Sequence, residues 1–257
     1  MITPDILAFD FDGVICDGLI EYFKTAWRTY CQLYQPDQTE PPNGLASRFY
    51  KLRPVIETGW EMPVMLQAIL AGHSDEEIIA DWPEMAKPLL AEAQLAPAAA
   101  ANAVDSIRDS WIQSDLDNWL AQHRFYPGVL KALKSAIAAI PTYIVSTKEG
   151  RFIQKLLAQN NVEIDPAFIL GKEVKRPKAE TLARLLQKHP EASTLWFIED
   201  RLKALQSVKA QPELESVALF LADWGYNLET DRHAASEDER IHLLSLEQIV
   251  QKFERWV

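Results

Sequence analysis

The sequence contains only two cysteines and no run of apolar residues as long as a membrane span. Cys16 and Cys31 show no pairing pattern, which favours a reduced, cytoplasmic protein over one held together by disulfides. A helix that crosses a bilayer needs about 20 consecutive apolar residues. The N-terminal residues Met1 to Asp5 have neither the basic nor the apolar region of a secretory signal. We therefore expect a cytoplasmic protein that does not associate with membranes.

Positive charge is also scarce, with 26 lysines and arginines against 37 aspartates and glutamates and a formal net charge of −11. A nucleic-acid partner requires a basic surface, so DNA and RNA are not expected ligands. A small anionic substrate is not excluded by the net charge, because it interacts with the charge near its binding site. None of the five histidines forms a metal-ligand pair with a cysteine or another histidine, and we interpret all five as structural or surface groups. The composition is compatible with a monomer or a homodimer.

Two carboxylates follow the first apolar run of the chain. The segment Ile6 to Ala8 continues into Phe9-Asp10-Phe11-Asp12-Gly13-Val14. In an extended chain alternate side chains share a face, so Asp10 and Asp12 would point the same way. Two like charges at one place repel each other unless a cation or an extra proton is present. The segment predicts a Mg²⁺ site beside a nucleophilic carboxylate, and the alternative is a polar turn with locally hydrogen-bonded aspartates.

The rest of the chain falls into a helical part and an alternating part. Residues 17–124 show helical spacing without a convincing strand, including a helix that starts at Ser74 with Glu77 in a capping box and one long helix from Pro97 to about His123. From Phe125 strands and helices alternate, and a final helix is predicted from Leu246 to about Trp256. Such alternation predicts a parallel sheet covered on both faces. The predicted organisation is an α/β core from residues 1–16 and 125–257, with 17–124 as a helical insertion.

Polar side chains follow other predicted strands as well. Ser146 and Thr147 follow the strand Thr142 to Val145, and Glu199 and Asp200 follow the strand Thr194 to Ile198. A basic cluster precedes the next helix and consists of Lys172, Lys175, Arg176 and Lys178. In a parallel sheet all these strand ends lie on one edge, where α/β proteins bind ligands. Together they supply a nucleophile, hydroxyl donors, a cation and metal-binding carboxylates, which suits phosphoryl transfer.

In these features the chain resembles the haloacid dehalogenase (HAD) superfamily, in its phosphoglycolate-phosphatase-like branch with an inserted helical cap. The resemblance covers essentially the whole chain and rests on four segments in the family's order: Asp10 to Val14, Phe125 to Val129, Tyr143 to Lys148, and Leu221 to Tyr226. It implies a HAD-like Rossmannoid core with a parallel sheet and an all-helical cap.

The resemblance also implies roles for the polar residues. Asp10 would attack phosphorus and form an aspartyl-phosphate. Asp12 would protonate the leaving oxygen and then deprotonate water, and this second aspartate separates the phosphatases from the true dehalogenases. Ser146 would bind a phosphoryl oxygen, with Thr147 able to share the task; the alternative is a hydroxyl that caps the next helix. Mg²⁺ would be held by Asp10, the main-chain carbonyl of Asp12, and Asp200.

Two positions depart from the family pattern. The phosphate-binding cation is ambiguous: Lys178 is favoured, with Arg176 and then Lys175 as alternatives. Many members carry a further acid about four residues after the metal-binding aspartate, where this chain has Ala204. Glu199 would substitute as a direct or water-mediated ligand.

The cap of such a protein would close over the site and select the substrate. Within it, Arg48 or Arg53 could pair with a carboxylate or second phosphate of the substrate. The alternative is that both arginines are surface charges or cap helix ends.

The expected function is a Mg²⁺-dependent phosphatase that hydrolyses a small phosphorylated metabolite. A phosphomutase of the same branch is the alternative within enzymes. A HAD-fold binding or regulatory protein with weakened metal binding is the alternative outside enzymes, because of Ala204.

Overall fold

The computed structural model describes residues 3–256 of the chain. Its backbone divides into a core unit, formed by the residues up to Asp17 and from Arg124 onward, and a helical unit from Gly18 to His123. All strands of the described residues belong to the core unit, and each unit is described by itself below.

The strands, in chain order, are β1 Ile6–Phe9, β2 Cys16–Asp17, β3 Arg124–Phe125, β4 Thr142–Val145, β5 Ile169–Leu170, β6 Leu195–Glu199, β7 Val217–Ala222 and β8 Ile241–Leu244. The α-helices are α1 Leu19–Tyr34, α2 Leu45–Leu52, α3 Glu61–Leu70, α4 Asp75–Glu92, α5 Pro97–Ser114, α6 Leu116–Leu120, α7 Val129–Ala139, α8 Gly150–Gln159, α9 Lys178–Lys188, α10 Leu202–Lys209, α11 Glu229–Ser236 and α12 Leu246–Ile249. Short 3₁₀ turns occupy Arg53–Val55, Pro166–Phe168, Lys172–Val174, Pro212–Leu214 and Phe253–Arg255.

Six strands form one parallel sheet in the order β5-β4-β1-β6-β7-β8. Every residue of β1 and of β6 is buried, as expected for strands that are covered on both faces. Alternate side chains enter opposite layers: Phe197 packs with Leu182 of α9 and Leu205 of α10, whereas Trp196 lies against Phe220 and the C-terminal aromatic residues. The predicted α/β fold with a parallel sheet is confirmed.

The register of the sheet places the ends of β1, β4 and β6 side by side. Phe9, the last residue of β1, is level with Ile144 on one side and with Ile198 on the other. The backbone N–H of Asp10 then donates to the carbonyl of Ile198 at 2.8 Å. Asp10 and Glu199 therefore leave the sheet at the same height, on neighbouring strands.

The two-residue strands β2 and β3 pair with each other, antiparallel, through Cys16 opposite Phe125 and Asp17 opposite Arg124. This ribbon was not predicted, because a two-residue strand is too short for its alternation to be recognised in a sequence. It joins the two stretches of the core unit where the chain leaves for the helical unit and returns from it.

A buried carboxylate organises the helical unit. Oε1 of Glu21 on α1 accepts from Thr25 Oγ1 at 2.7 Å, from Arg108 Nε of α5 at 2.8 Å and from Trp119 Nε1 of α6 at 3.2 Å. Burying a carboxylate is costly unless it is paired and hydrogen-bonded. Glu21 meets that condition by linking three helices of this unit.

One predicted boundary in the helical unit is confirmed and another is wrong. The capping box at the start of α4 is present, with Glu77 N–H donating to Ser74 Oγ and Ser74 N–H donating to Glu77 Oε2. The single helix predicted from Pro97 to His123 is divided into α5 and α6 at Asp115, whose φ of −156° is not helical. The Asp115 carboxylate accepts from Asn118 N–H at 3.0 Å and caps α6.

The predicted final helix from Leu246 to Trp256 is also wrong. The helix α12 ends at Ile249, and a 3₁₀ turn follows at Phe253–Arg255. Packing explains the break, because Phe253 and Trp256 both contact Trp196, with ring centroids 6.0 and 5.9 Å from it. A continuous helix would carry the end of the chain along its own axis instead of across this aromatic cluster.

Among the described residues, no helix combines the length and apolar character needed to span a bilayer.

Candidate active site

Asp10 lies directly beyond the end of β1 and is buried. Its Oδ1 accepts from the N–H of Phe11 at 2.7 Å, and its Oδ2 lies 2.8 Å from the ammonium nitrogen of Lys178. Both oxygens therefore have a donor that fixes the orientation of the carboxylate. The strand ends at Phe9, so Asp12 belongs to the following loop and forms an isolated bridge with Cys16.

Three buried acids meet at this edge of the sheet. Asp10, Glu199 and Asp200 each place a carboxylate oxygen within 4.8 Å of those of the other two. Glu199 is the last residue of β6 and is fully buried, and Asp200 follows it with 1% of its surface exposed. Carboxylate oxygens are the ligands that hard divalent cations prefer. The donor set of this acidic cluster therefore fits a divalent metal ion.

Lys178, the first residue of α9, supplies the positive charge of the cluster. Its Nζ lies 2.8 Å from Asp10 Oδ2 and 2.6 Å from Glu199 Oε2, with 17% of the side chain exposed. Of the three basic residues considered as the phosphate-binding cation, the structure brings Lys178 to Asp10. Lys175 is exposed and Arg176 is half-buried, with its Nε unpaired.

Burial shifts the protonation of all three acids. It raises the pKa of Asp10 to about 6, against the opposing attraction of Lys178. Burial likewise raises the pKa of Glu199 to about 7, again opposed by Lys178. The pKa of Asp200 is raised by burial and by the charge of Asp10. For Lys178 burial alone would lower the pKa, but the charges of Asp10 and Glu199 outweigh it and raise the pKa.

Ser146 and Thr147 follow β4, the strand on the other side of β1 from β6. Ser146 is buried, and its Oγ accepts from the N–H of Lys148 at 3.3 Å. Thr147 is exposed. The bond to Lys148 lies in the loop before α8, whose N-cap residue Glu149 makes no side-chain capping hydrogen bond. The Ser146 hydroxyl therefore shapes the loop rather than capping the helix.

Asp200 is held by the segment that follows β7. The N–H of Tyr226 donates to Asp200 Oδ2 at 2.7 Å, and the Asn227 side chain donates to the Asp200 carbonyl at 3.0 Å. The Tyr226 hydroxyl donates to Asp17 at 3.0 Å, so the same residue ties Asp200 to the β2–β3 ribbon. Position 225 requires glycine, because a Cβ there would overlap the side chain of Asp200. No role was predicted for Tyr226 or Asn227, although Tyr226 ends the segment Leu221 to Tyr226 that resembles the family.

Lys148 is another site residue for which no role was predicted. Its ammonium nitrogen lies 3.1 Å from Oδ1 and 3.4 Å from Oδ2 of Asp12. Its position two residues after Ser146, at the same edge of the sheet, is the sequence feature that could have identified it. Each aspartate of the Asp10–Asp12 pair thus contacts one lysine.

Arg48 and Arg53 lie in the helical unit, and the structure gives both guanidinium groups partners there. Arg48 contacts the Asp75 carboxylate at 2.7 Å and donates to the His73 carbonyl at 2.8 Å. Arg53 donates to the carbonyl of Ile56 at 2.9 Å. These contacts favour the structural alternative for both arginines over the predicted pairing with a substrate anion.

The family model for haloacid dehalogenase-like hydrolases matches residues 4–210. The chain belongs to this family. The resemblance inferred from the four sequence segments is thereby confirmed. Hydrolases of the HAD family generally use a divalent metal, in agreement with the donor set of the acidic cluster. No curated protein sequence matches the chain.

Solved structures of other HAD proteins share the fold over nearly the whole chain. A HAD-like hydrolase from Bacteroides fragilis has a TM-score of 0.57 at 18% identity and covers 96% of this chain and 100% of its own. A HAD-like family protein from Streptococcus pneumoniae has a TM-score of 0.56 at 15% identity, and the match covers 95% of this chain and 94% of that protein. A protein assigned as a phosphoglycolate phosphatase, from Lactobacillus delbrueckii subsp. bulgaricus, has a TM-score of 0.57 at 15% identity. The match covers 91% of this chain and 92% of that protein. At these identities the likeness concerns the fold alone.

Replacing Gly13 by alanine should weaken the binding of a divalent cation. Gly13 has a φ of +84°, and a Cβ there would overlap the carboxylate of Asp200. The displaced carboxylate should raise the dissociation constant roughly 10–100-fold, as changes around metal ligands commonly do. Calorimetric titration with Mg²⁺ measures the effect.

Gly44→Ala is the matched control, since Gly44 also has a φ of +84° but has no atom within 4 Å of the added Cβ. It carries the same backbone strain away from the cluster. Unchanged cation affinity in Gly13→Ala, or an equal loss in both variants, would contradict the prediction.

Cation binding should also strengthen with rising pH. Because the pKa of Asp10 is about 6 and that of Glu199 about 7, protons occupy these carboxyl groups at lower pH and compete with the cation. We expect the apparent dissociation constant for Mg²⁺ to fall roughly 10-fold between about pH 6 and about pH 8. Calorimetry in buffers of known ionisation enthalpy measures the constant and the protons released.

The metal-free protein should show the opposite trend in stability. The folded pKa values of Asp10 and Glu199 lie above their ordinary values of 3.8 and 4.5. The folded state then holds protons that the unfolded chain has released, so the free energy of unfolding falls as the pH rises from the ordinary values to the folded values of about 6 and about 7.

For the prediction on cation binding, an affinity independent of pH would show that Asp10 and Glu199 take no part in binding.

Proposed function

We propose that the chain is a Mg²⁺-dependent phosphatase that hydrolyses a small phosphorylated metabolite through an aspartyl-phosphate on Asp10. The observation that carries the proposal is the buried cluster of Asp10, Glu199 and Asp200 with Lys178 in contact with two of them. The family membership and the phosphatase assignments among the structural neighbours support it.

In the first step an oxygen of Asp10 attacks phosphorus, and the bond from phosphorus to the leaving oxygen breaks. Protonated Asp12 gives its proton to that oxygen, which leaves as an alcohol. In the second step water attacks phosphorus and gives a proton to Asp12. The bond between phosphorus and the Asp10 oxygen breaks, which releases inorganic phosphate and restores both aspartates.

The remaining residues bind and orient the phosphoryl group. Lys178, already 2.8 Å from Asp10, neutralises charge on the phosphoryl oxygens as they approach that carboxylate. The Ser146 hydroxyl, buried at the end of β4, donates to a phosphoryl oxygen, and Thr147 is the second candidate for that bond.

Mg²⁺ would be held by Asp10, Asp200 and the main-chain carbonyl of Asp12, with Glu199 as a direct or water-mediated partner. When bound, it supplies charge that draws the phosphoryl oxygens toward Asp10 and stabilises negative charge in the transition state. The expectation of a cytoplasmic enzyme stays a prediction.

Replacing Asp10 by asparagine should abolish turnover. The amide removes the anionic nucleophile while it retains the shape of the side chain. We expect no hydrolysis of p-nitrophenyl phosphate in the presence of Mg²⁺ and no trapped beryllofluoride adduct. Asp238→Asn is the control, because Asp238 lies outside the cluster and pairs with Lys209. Persistent turnover in Asp10→Asn would rule out Asp10 as the nucleophile.

Calorimetry with Mg²⁺ separates this proposal from a HAD-fold binding or regulatory protein with a weakened metal site. The specific concern is Ala204, which stands where many family members have an acid. We expect millimolar or tighter binding at about pH 8 that is lost in Asp200→Asn, since the neutral amide removes one of the negative charges that attract the cation. Absence of binding in the wild-type protein would favour the regulatory alternative.

A further inference from the structure

Lys148 makes a nearly buried ion pair with Asp12. Its ammonium nitrogen lies 3.1 Å from Oδ1 and 3.4 Å from Oδ2, with 10% of the lysine side chain and 17% of the aspartate side chain exposed. Exposed pairs of this kind contribute little. A pair with so little exposure is screened far less by solvent, and it restricts the rotation of the carboxylate.

The backbone on both sides of this pair is anchored. The N–H of Lys148 donates to Ser146 Oγ at 3.3 Å, and its carbonyl accepts from the N–H of Lys172 at 2.9 Å. On the other side, the N–H of Gly13 donates to the Cys16 carbonyl at 2.8 Å, directly after Asp12. The ammonium and the carboxylate are therefore presented to each other from two fixed loops, after β4 and after β1.

We propose that Lys148 is a positioning residue that orients the Asp12 carboxylate for proton transfer. The inference rests on the proposed function, in which Asp12 moves one proton in each half of the reaction. Without Lys148, Asp12 can rotate away from the leaving oxygen and from the attacking water. Such a rotation would slow the reaction, because proton transfer requires a heavy-atom separation of about 2.6–3.2 Å.

The two half-reactions respond differently to this loss. A good leaving group such as 2,4-dinitrophenolate departs without a proton, so formation of the aspartyl-phosphate does not need Asp12. Hydrolysis of the aspartyl-phosphate always needs it, since the attacking water must lose a proton. The alcohol released from an alkyl phosphate must also be protonated. Lys148 therefore matters in the second step for every substrate and in the first step for alkyl phosphates only.

The test is the kinetics of Lys148→Met with both kinds of substrate. With 2,4-dinitrophenyl phosphate we expect a burst of one dinitrophenolate per enzyme, followed by a steady state roughly 10–100-fold slower than wild type. The values of kcat and KM should fall together, which leaves kcat/KM nearly unchanged. With an alkyl phosphate kcat/KM should fall by a similar factor. Acid quenching during the slow phase should recover the phosphoenzyme.

Two further variants show whether the effect passes through Asp12. In an Asp12→Asn background, Lys148→Met should cause little additional loss, because residues that act as a unit are not additive. Lys148→Arg, which keeps the charge, should restore most of the second step. Lys155→Met is the matched control, since Lys155 is an exposed lysine on α8. If Lys148→Met does not fold, as judged by thermal denaturation, Lys148→Gln takes its place.

Several results would overturn the inference. A raised KM with unchanged kcat would mean that Lys148 binds a substrate anion. An equal loss of kcat/KM on both substrates without a burst, or full multiplicative loss in the double variant, would mean a general structural role. Each of these results can be obtained only if the wild-type protein has phosphatase activity. They would therefore overturn the role of Lys148 and leave the proposed function intact. A wild-type protein without phosphatase activity would overturn the proposed function and this inference with it.

Discussion

The contact of the Lys178 ammonium with two carboxylates is the interaction on which the site depends. Lys178 Nζ lies 2.8 Å from Asp10 and 2.6 Å from Glu199. These two acids are brought to one height by the register of β1 and β6, in which Phe9 is level with Ile198. Such a register forces buried like charges together, and they are tolerated only with compensating positive charge. The sheet and the start of α9 are therefore linked electrostatically as well as by packing.

The charge balance of the cluster is incomplete with lysine alone. When ionised, the three carboxylates outweigh the one ammonium group and leave a net charge of −2, the charge that one divalent cation neutralises. Without a cation, burial raises the pKa of Asp10, Glu199 and Asp200, and the mutual repulsion of the three acids adds to that rise. A hydrogen bond between Glu199 and Asp200 raises the pKa of Glu199 and lowers that of Asp200, so a proton on Glu199 can take up part of the charge. Raised acid pKa values and a fit for a divalent ion are thus two consequences of one arrangement.

The sequence was informative where function follows from strand order. Asp10, Glu199 and Asp200 could be placed at one edge because each follows a buried strand of a parallel sheet, and the basic cluster that includes Lys178 because it lies between a strand and the next helix. The contacts of Lys148 with Asp12 and of Tyr226 with Asp200 could not be predicted in this way. They depend on the path of a loop and on the reach of one side chain, and neither has a sequence period. The same reason explains the β2–β3 ribbon and the break at Asp115, where a local carboxylate cap ended an otherwise continuous helical pattern.

Glu199 shows how this chain departs from the family pattern without losing the third acid. Ala204 lies on α10, so no carboxylate comes from that helix position. Glu199 instead projects from the end of a strand held between β1 and β7. Both of its oxygens already accept hydrogen bonds, Oε2 from Lys178 at 2.6 Å and Oε1 from the N–H of Arg201 at 3.1 Å. A cation that bound Glu199 directly would have to compete with these donors. If a cation binds at this cluster, Glu199 would therefore act more readily through its charge than as a ligand, and the firmly held Asp200 would carry more of the binding.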